Sequence, residues 1–237
     1  KMYYKKIAII FLFILATGTI FWPILFGGKI IDDVFNVGLI GHYKFTADFG
    51  DQWRSTGSLK LWWSDYLGGF PVYLTQVGFF SPLVFILGSF FKGFSVYNWI
   101  IFFNFLFGGL AMYWFARNLS LSKTASVVCG LAYIFSQNNL YWGSTLVFSN
   151  IFIFIPLFFG CLFKISKTDK WYWWIFGSLI TAYGLVAGEI QIVFYTLVIG
   201  FVWVFFLKYD IKNWKPVLGY FSISAIGVIL ASFWLLP

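Results

Sequence analysis

Histidine is almost missing from this 237-residue chain, with His42 the only one. That excludes a histidine-rich metal site. Cysteine is nearly as scarce. Cys129 and Cys161 lie far apart inside apolar segments, where a free thiol behaves as a small hydrophobe, so neither a disulfide nor a metal site is inferred. Charge is thin as well: Asp, Glu, Lys and Arg together make 10% of the residues, with 8 acidic against 16 basic and a net charge of +8. The surplus lysines sit in loops placed for anionic lipid headgroups, so nucleic acid is not an expected partner.

What is abundant is apolar. Hydrophobic residues make 61% of the chain, against roughly 45–50% in soluble domains, and the mean hydropathy is +0.85. Long apolar runs recur from end to end, which makes this an integral membrane protein and not a soluble domain with one anchor. Codon composition accounts for much of the phenylalanine (33 residues), because Phe, Tyr, Ile, Lys and Asn share AT-rich codons. The 13 tryptophans need a physical reason, since they gather at span ends. The first span, 7–27, lacks a clear small-x-small cleavage site and is followed by further spans, so it reads as a retained helix and not a signal peptide. The chain ends at SFWLLP, in an apolar run. The expectation is a single transmembrane domain, 1–237, forming the N-terminal part of a longer protein.

About seven segments are long enough, or nearly so, to cross about 30 Å of hydrocarbon: 7–27, 96–116, 124–140, 146–163, 171–187, 190–207 and 216–237. The apolar stretch 79–91 is shorter, opens with Ser81-Pro82 and ends at Lys92-Gly93, so 79–93 is expected to be embedded without crossing. Lys1, Lys5, Lys6, Arg117, Lys123, Lys164, Lys167, Lys170, Lys208, Lys212 and Lys215 then share one side, which the positive-inside rule assigns to the cytoplasm together with the N-terminus. Asp32, Asp33, Asp48, Asp51, Asp65, Glu189 and the turn Gln137-Asn138-Asn139 fall outside. The expected fold class is therefore an all-α integral membrane protein with a long first extracytoplasmic loop, 28–78, carrying interfacial helices.

Structureless loops of that length are uncommon and usually functional. Trp53, Thr56, Leu59, Trp62 or Trp63, and Tyr66 recur at helical spacing and predict one amphipathic stripe at headgroup depth. Gly57 interrupts this pattern, and Gly68-Gly69-Phe70-Pro71 breaks it. Asp48 and Asp51, three apart, share a helical face. The pair suits a shared proton or a divalent cation, and it equally suits the solvated side of an interfacial helix. A second constellation, AGEIQIVFY (187–195), places Glu189 and Gln191 at the turn between two spans. A carboxylate there is either an ordinary interfacial group or one facing a cavity. The turn SQNNLYWGS (136–144) adds the amide of Asn138. Asn104, inside a span, is expected to hydrogen-bond across helices.

Taken in order, Asp51-Gln52-Trp53, W-x-x-x-x-G-G-x-P at 63–71, FSPL at 80–83, ARNLSLSKTA at 116–125, GLAYIFS at 130–136, IPL at 155–157 and AGEIQIVFY at 187–195 resemble the YfhO-like bacterial membrane proteins, grouped with GT-C glycosyltransferases. Family members often show G-H-x-Q where this chain has Gly188-Glu189-Ile190-Gln191. The resemblance implies a GT-C architecture, a polyprenyl-phosphate-linked sugar as donor, and a cell-surface polymer or lipid as acceptor on the outer membrane face. It also implies a catalytic aspartate in the first outer loop, matched here by Asp51, with Asp48 second. On that reading Arg54 and Lys60 are candidates for the donor phosphate, since guanidinium grips phosphate bidentately. Trp53 and Trp63 suit sugar stacking or interface anchoring, and Asp65, Glu189, Gln191 and Asn138 are further binding candidates. Membrane lipids are the other expected partners. The rival reading is a lipid or ion transporter or flippase without bond chemistry, against which no span is unmistakably broken at mid-depth. A third is a scaffold subunit of a cell-wall assembly.

Overall fold

The computed structural model describes residues 2–27, 38–58, 61–64, 68–71, 78, 80–93, 95–207 and 213–232. Ten helices and one two-stranded ribbon are seen among them: α1 (Met2–Leu25), α2 (Gly38–Thr56), β1 (Trp62–Trp63), β2 (Phe70–Pro71), α3 (Pro82–Phe90), α4 (Ser95–Asn118), α5 (Lys123–Ile134), α6 (Gln137–Trp142), α7 (Leu146–Lys167), α8 (Tyr172–Ala187), α9 (Ile190–Leu207) and α10 (Lys215–Leu230). Helix dominates because a chain this apolar must satisfy its backbone groups internally once water is removed. By length and composition α1, α4, α7 and α9 can each cross a membrane. The protein is thus an all-α membrane protein.

One end of the bundle carries Lys164, Lys215 and Arg117, while Lys44 and Lys92 lie with α2 and α3. Lys215 Nζ donates to the Thr168 carbonyl at 2.7 Å, Lys164 lies over the Trp173 ring, and Trp173 packs on Trp114, one turn from Arg117. Phe115 meets Trp203 at the same end. The opposite end joins the close of α1 to the start of α4, through Asn98 Nδ2 to the Ile24 carbonyl (3.2 Å). It also joins α4 to the loop before α7, through the Tyr97 hydroxyl to the Ser144 carbonyl (2.6 Å).

Two apolar cores hold the bundle. One is built by α1 to α5 around Phe13, Phe49, Ile100 and Phe105, the other by α7 to α10 around Phe158, Leu162, Val204 and Ile223. Phe152 of α7 belongs to the first core and Phe154 to the second, so α7 is the wall between them. Lipid tails are as apolar as leucine, so close packing, not water expulsion, favours these contacts. Small residues permit it. A Cβ on Gly160 would come within 2.0 Å of the Trp114 ring, and one on Gly130 within 2.7 Å of the Gly109 carbonyl oxygen.

Two expectations are corrected. The segment 124–140 is not one helix: α5 stops at Ile134, Phe135 and Ser136 form a turn, and α6 restarts at Gln137 with the Ser136 hydroxyl accepting from Asn139 N. At about 1.5 Å per residue α5 is about 18 Å long, short of a bilayer. The stripe expected over 53–66 also ends early. Gly57 adopts φ +65°, a left-handed conformation that closes a helix, and Trp62-Trp63 pairs as a strand with Phe70-Pro71. The helix instead extends backward, to Gly38.

Candidate functional site

The end of the bundle opposite Lys164 and Lys215 is built on α2 and α3. The nine residues of α3 reach about 14 Å, and the two helices cross at glycines: a Cβ on Gly88 would sit 3.0 Å from Gly50 Cα. Phe45 and Phe49 of α2 face inward. Trp63 does too, 1% exposed, its ring 3.9 Å from that of Phe45. A side chain so enclosed is a core residue, where the sequence suggested sugar stacking or interface anchoring. The β1–β2 ribbon that delivers it turns through Gly68 and Gly69, both at positive φ, and a Cβ on Gly69 would press within 2.9 Å of Trp62 Nε1.

Asp51 and Arg54 come together one turn apart on α2. Arg54 Nη2 donates to Asp51 Oδ1 at 2.8 Å, with side-chain exposures of 28% for Arg54 and 44% for Asp51. Arg54 Nη1 donates to the Phe91 carbonyl at 2.8 Å, and the Gly93 N–H reaches Asp51 Oδ1 at 3.3 Å. The pair therefore clasps the C-terminal end of α3, where helix carbonyls lack intrahelical donors. Oδ1 takes both bonds, and Oδ2 accepts none among the described residues. Trp53 Nε1 donates to Ser89 Oγ at 3.2 Å, and its ring stands edge-on to Phe85, so Trp53 also anchors α2 to α3. Asp48 lies one turn earlier, half-buried. Lys60 and Asp65 lie outside the described residues.

Beside this clasp an apolar groove of about 690 Å³ runs between α1 and α4, walled by Gly18, Trp22, Trp99, Phe102, Phe103 and Leu106. It is connected to the charged pair through one residue. The Phe91 ring stacks on Trp99 at 5.0 Å, while the Phe91 carbonyl holds Arg54.

A buried polar seam lies deeper in the same end, and sequence reasoning found only one of its members. Asn104 Nδ2 donates to Ser149 Oγ (2.8 Å) and to Asn150 Oδ1 (2.9 Å), as the expectation of interhelical bonding required. Asn150 Nδ2 donates to the Ala187 carbonyl (2.7 Å), and the Tyr183 hydroxyl donates to Asn150 Oδ1 (3.1 Å). Gly78 fits against this seam: a Cβ there would be 2.8 Å from both Ala187 O and Asn150 Nδ2. The seam thus ties α4, α7 and α8 to the end of the first loop. Asn150 carried no signal in the sequence beyond being an amide within an apolar run.

Glu189 follows directly, in the turn after α8. Partial burial raises its carboxyl above the ordinary value, while a hydrogen bond to the Gln191 backbone lowers it in part. Gln191 is exposed, and its Nε2 donates to the Tyr195 hydroxyl at 2.8 Å. Asn138 borders a separate cleft of about 290 Å³ at the α5–α6 break. The described residues hold no cluster of three or more His, Cys, Asp or Glu side chains suited to a metal ion. Comparison of the chain with family models, with curated proteins and with solved structures finds no match.

Proposed function

We propose that this chain is the membrane part of a GT-C-type inverting glycosyltransferase that moves a sugar from a polyprenyl-phosphate donor to a cell-surface polymer or lipid acceptor. The observation that carries this reading is the continuity between a tail-sized apolar groove and a charged pair. Groove, Trp99, Phe91, Arg54 and Asp51 follow one another through direct contacts. A prenyl tail would lie between α1 and α4 with its phosphate toward Arg54.

A donor phosphate would compete with Asp51 for the Arg54 guanidinium. Asp51 Oδ2 then takes the proton of the acceptor hydroxyl. The hydroxyl oxygen bonds to the sugar's anomeric carbon from the face opposite the phosphate, and the bond from that carbon to the phosphate oxygen breaks. Polyprenyl phosphate leaves, its charge held by Arg54. A divalent cation at Asp48 and Asp51 belongs to this reading as an addition, not a requirement. Asp51→Asn keeps the size of the side chain and an oxygen for Arg54, so it should abolish transfer while leaving insertion and folding intact. Full transfer activity in that variant would remove the assignment.

The proposed topology has seven crossings, with the α5–α6 pair counted as one and the lysine-rich end cytoplasmic, following the positive-inside rule. A tag in 164–170 should be accessible only from the cytoplasm. One observation favours the transporter reading: the helix break at Phe135–Ser136 beside a cleft, since broken helices recur at transporter sites. Donor-dependent sugar transfer by purified protein separates the two. Movement of lipid or ion without any transfer product would favour the rival.

A further inference from the structure

The cleft at the α5–α6 break holds hydrogen-bonding groups that the protein itself does not use. It is walled by Tyr133, Asn138, Asn139, Trp142, Phe148 and Ile192. Asn139 is 8% exposed. Its Nδ2 is committed to the Tyr133 carbonyl at 2.5 Å, while its Oδ1 accepts nothing among the described residues. The Tyr133 hydroxyl likewise has no hydrogen bond among them, its ring set edge-on to Phe152. Neither atom is sealed from solvent, so both can bond water or a ligand that enters the cleft. The remaining walls are apolar, aromatic in part: the Trp142 and Phe148 rings lie 5.0 Å apart. Among the described residues no charged side chain lines the cleft, and its volume of about 290 Å³ is near the lower end for small-molecule pockets, roughly 300 Å³.

We infer that this cleft binds a single neutral sugar ring. Only a ligand with both faces of chemistry fits the walls. Its hydroxyls would donate to Asn139 Oδ1 and exchange bonds with the Tyr133 hydroxyl and the Asn138 amide. Its ring C–H face would lie on Trp142. An anion finds no cation here, and a purely apolar ligand leaves the amide and phenol unpaired. The cleft shares no lining residue with the α1–α4 groove, so the site is additional to the Asp51 centre. It would hold a sugar of the acceptor or of an attached polymer while chemistry occurs elsewhere. This inference does not require that transfer occurs, and direct binding tests it apart from that reading.

The test uses the full chain in nanodiscs prepared without glycolipid and without glycoside detergents, which would occupy the cleft. Methyl glucoside and methyl N-acetylglucosaminide serve as probes, with cyclohexylmethanol as a ring of similar size lacking the hydroxyl array. Saturation-transfer NMR should show contact at the ring C–H groups of at least one glycoside and none for cyclohexylmethanol. Tyr133→Phe deletes a hydroxyl with no protein partner, so its thermal midpoint should hold while the glycoside Kd rises roughly three- to tenfold. Trp142→Leu should remove the ring C–H contact. Absence of saturation transfer from both glycosides, equal binding of cyclohexylmethanol, or an unchanged Kd in Tyr133→Phe would each overturn the inference.

Discussion

Gly18 offers a way to close the α1–α4 groove without disturbing anything else. It lies within α1, lines the groove, and a Cβ built on it meets no atom within 4 Å. Glycine inside a helix costs about 0.8–1 kcal/mol relative to alanine, and leucine is nearly as good a helix former. Gly18→Leu should therefore fold at least as stably as the parent. Its side chain would project into the slot between Trp22 and Phe102. In a bilayer the alternative home for a prenyl tail is lipid, as apolar as the groove, so binding there depends on shape. Losing the fit of a methylene-sized feature is worth about 1–3 kcal/mol, or roughly 10–200-fold. The loss should appear in KM for a long-chain polyprenyl-phosphate sugar, with kcat nearly unchanged, because Asp51 and Arg54 are not touched. A donor carrying only two isoprene units, too short to fill the groove, should lose much less. Initial rates with both donors, alongside thermal midpoints in nanodiscs, provide the measurement. A stable Gly18→Leu protein with unaltered KM for the long donor, or with equal losses for both donors, would refute the tail-slot reasoning.

The polar seam predicts that Asn150→Ala, which removes two accepted bonds and one donated bond, lowers stability by about 2–3 kcal/mol, given averages near 0.6 and maxima near 1.7 kcal/mol per interhelical bond. Unfolding in mixed micelles checks it. Gly160→Ala drives a methyl into the Trp114 ring and should cost about 1–3 kcal/mol through overpacking, with Trp114→Leu in the same chain restoring most of the loss. Burial holds the folded Glu189 carboxyl above its ordinary value of 4.5. The stability tied to its protonated form is thus fully present below the ordinary value, and is lost as pH rises through the raised one. Glu189→Gln should flatten that part of a melting-temperature profile taken between about pH 4 and pH 7. An equal slope in the variant would show that other groups set it.

Much of the architecture was legible because membrane residence leaves a strong mark on composition. The apolar runs behind α1, α4, α7 and α9 follow from the cost of exposing backbone groups to hydrocarbon, and that cost depends on local sequence alone. Gly57 announced a stop in α2 because left-handed φ is a property of one residue. Asp51 and Arg54 could be paired on paper, because a three-residue spacing on a helix brings side chains together. Other features depended on contacts across long separations in the chain. Trp63 looked like a surface aromatic until Phe45 covered it, and Arg54 looked free for phosphate until the Phe91 carbonyl, 37 residues away, took one of its nitrogens. The α5 break, the Asn150 seam and the opening of the Tyr133 hydroxyl to a cleft likewise have no periodicity to announce them. Sequence alone determined which segments are long and apolar enough to cross a membrane, because that property is summed residue by residue. Only the tertiary structure decided which polar groups are satisfied and which are left over, because a hydrogen bond needs both partners in place.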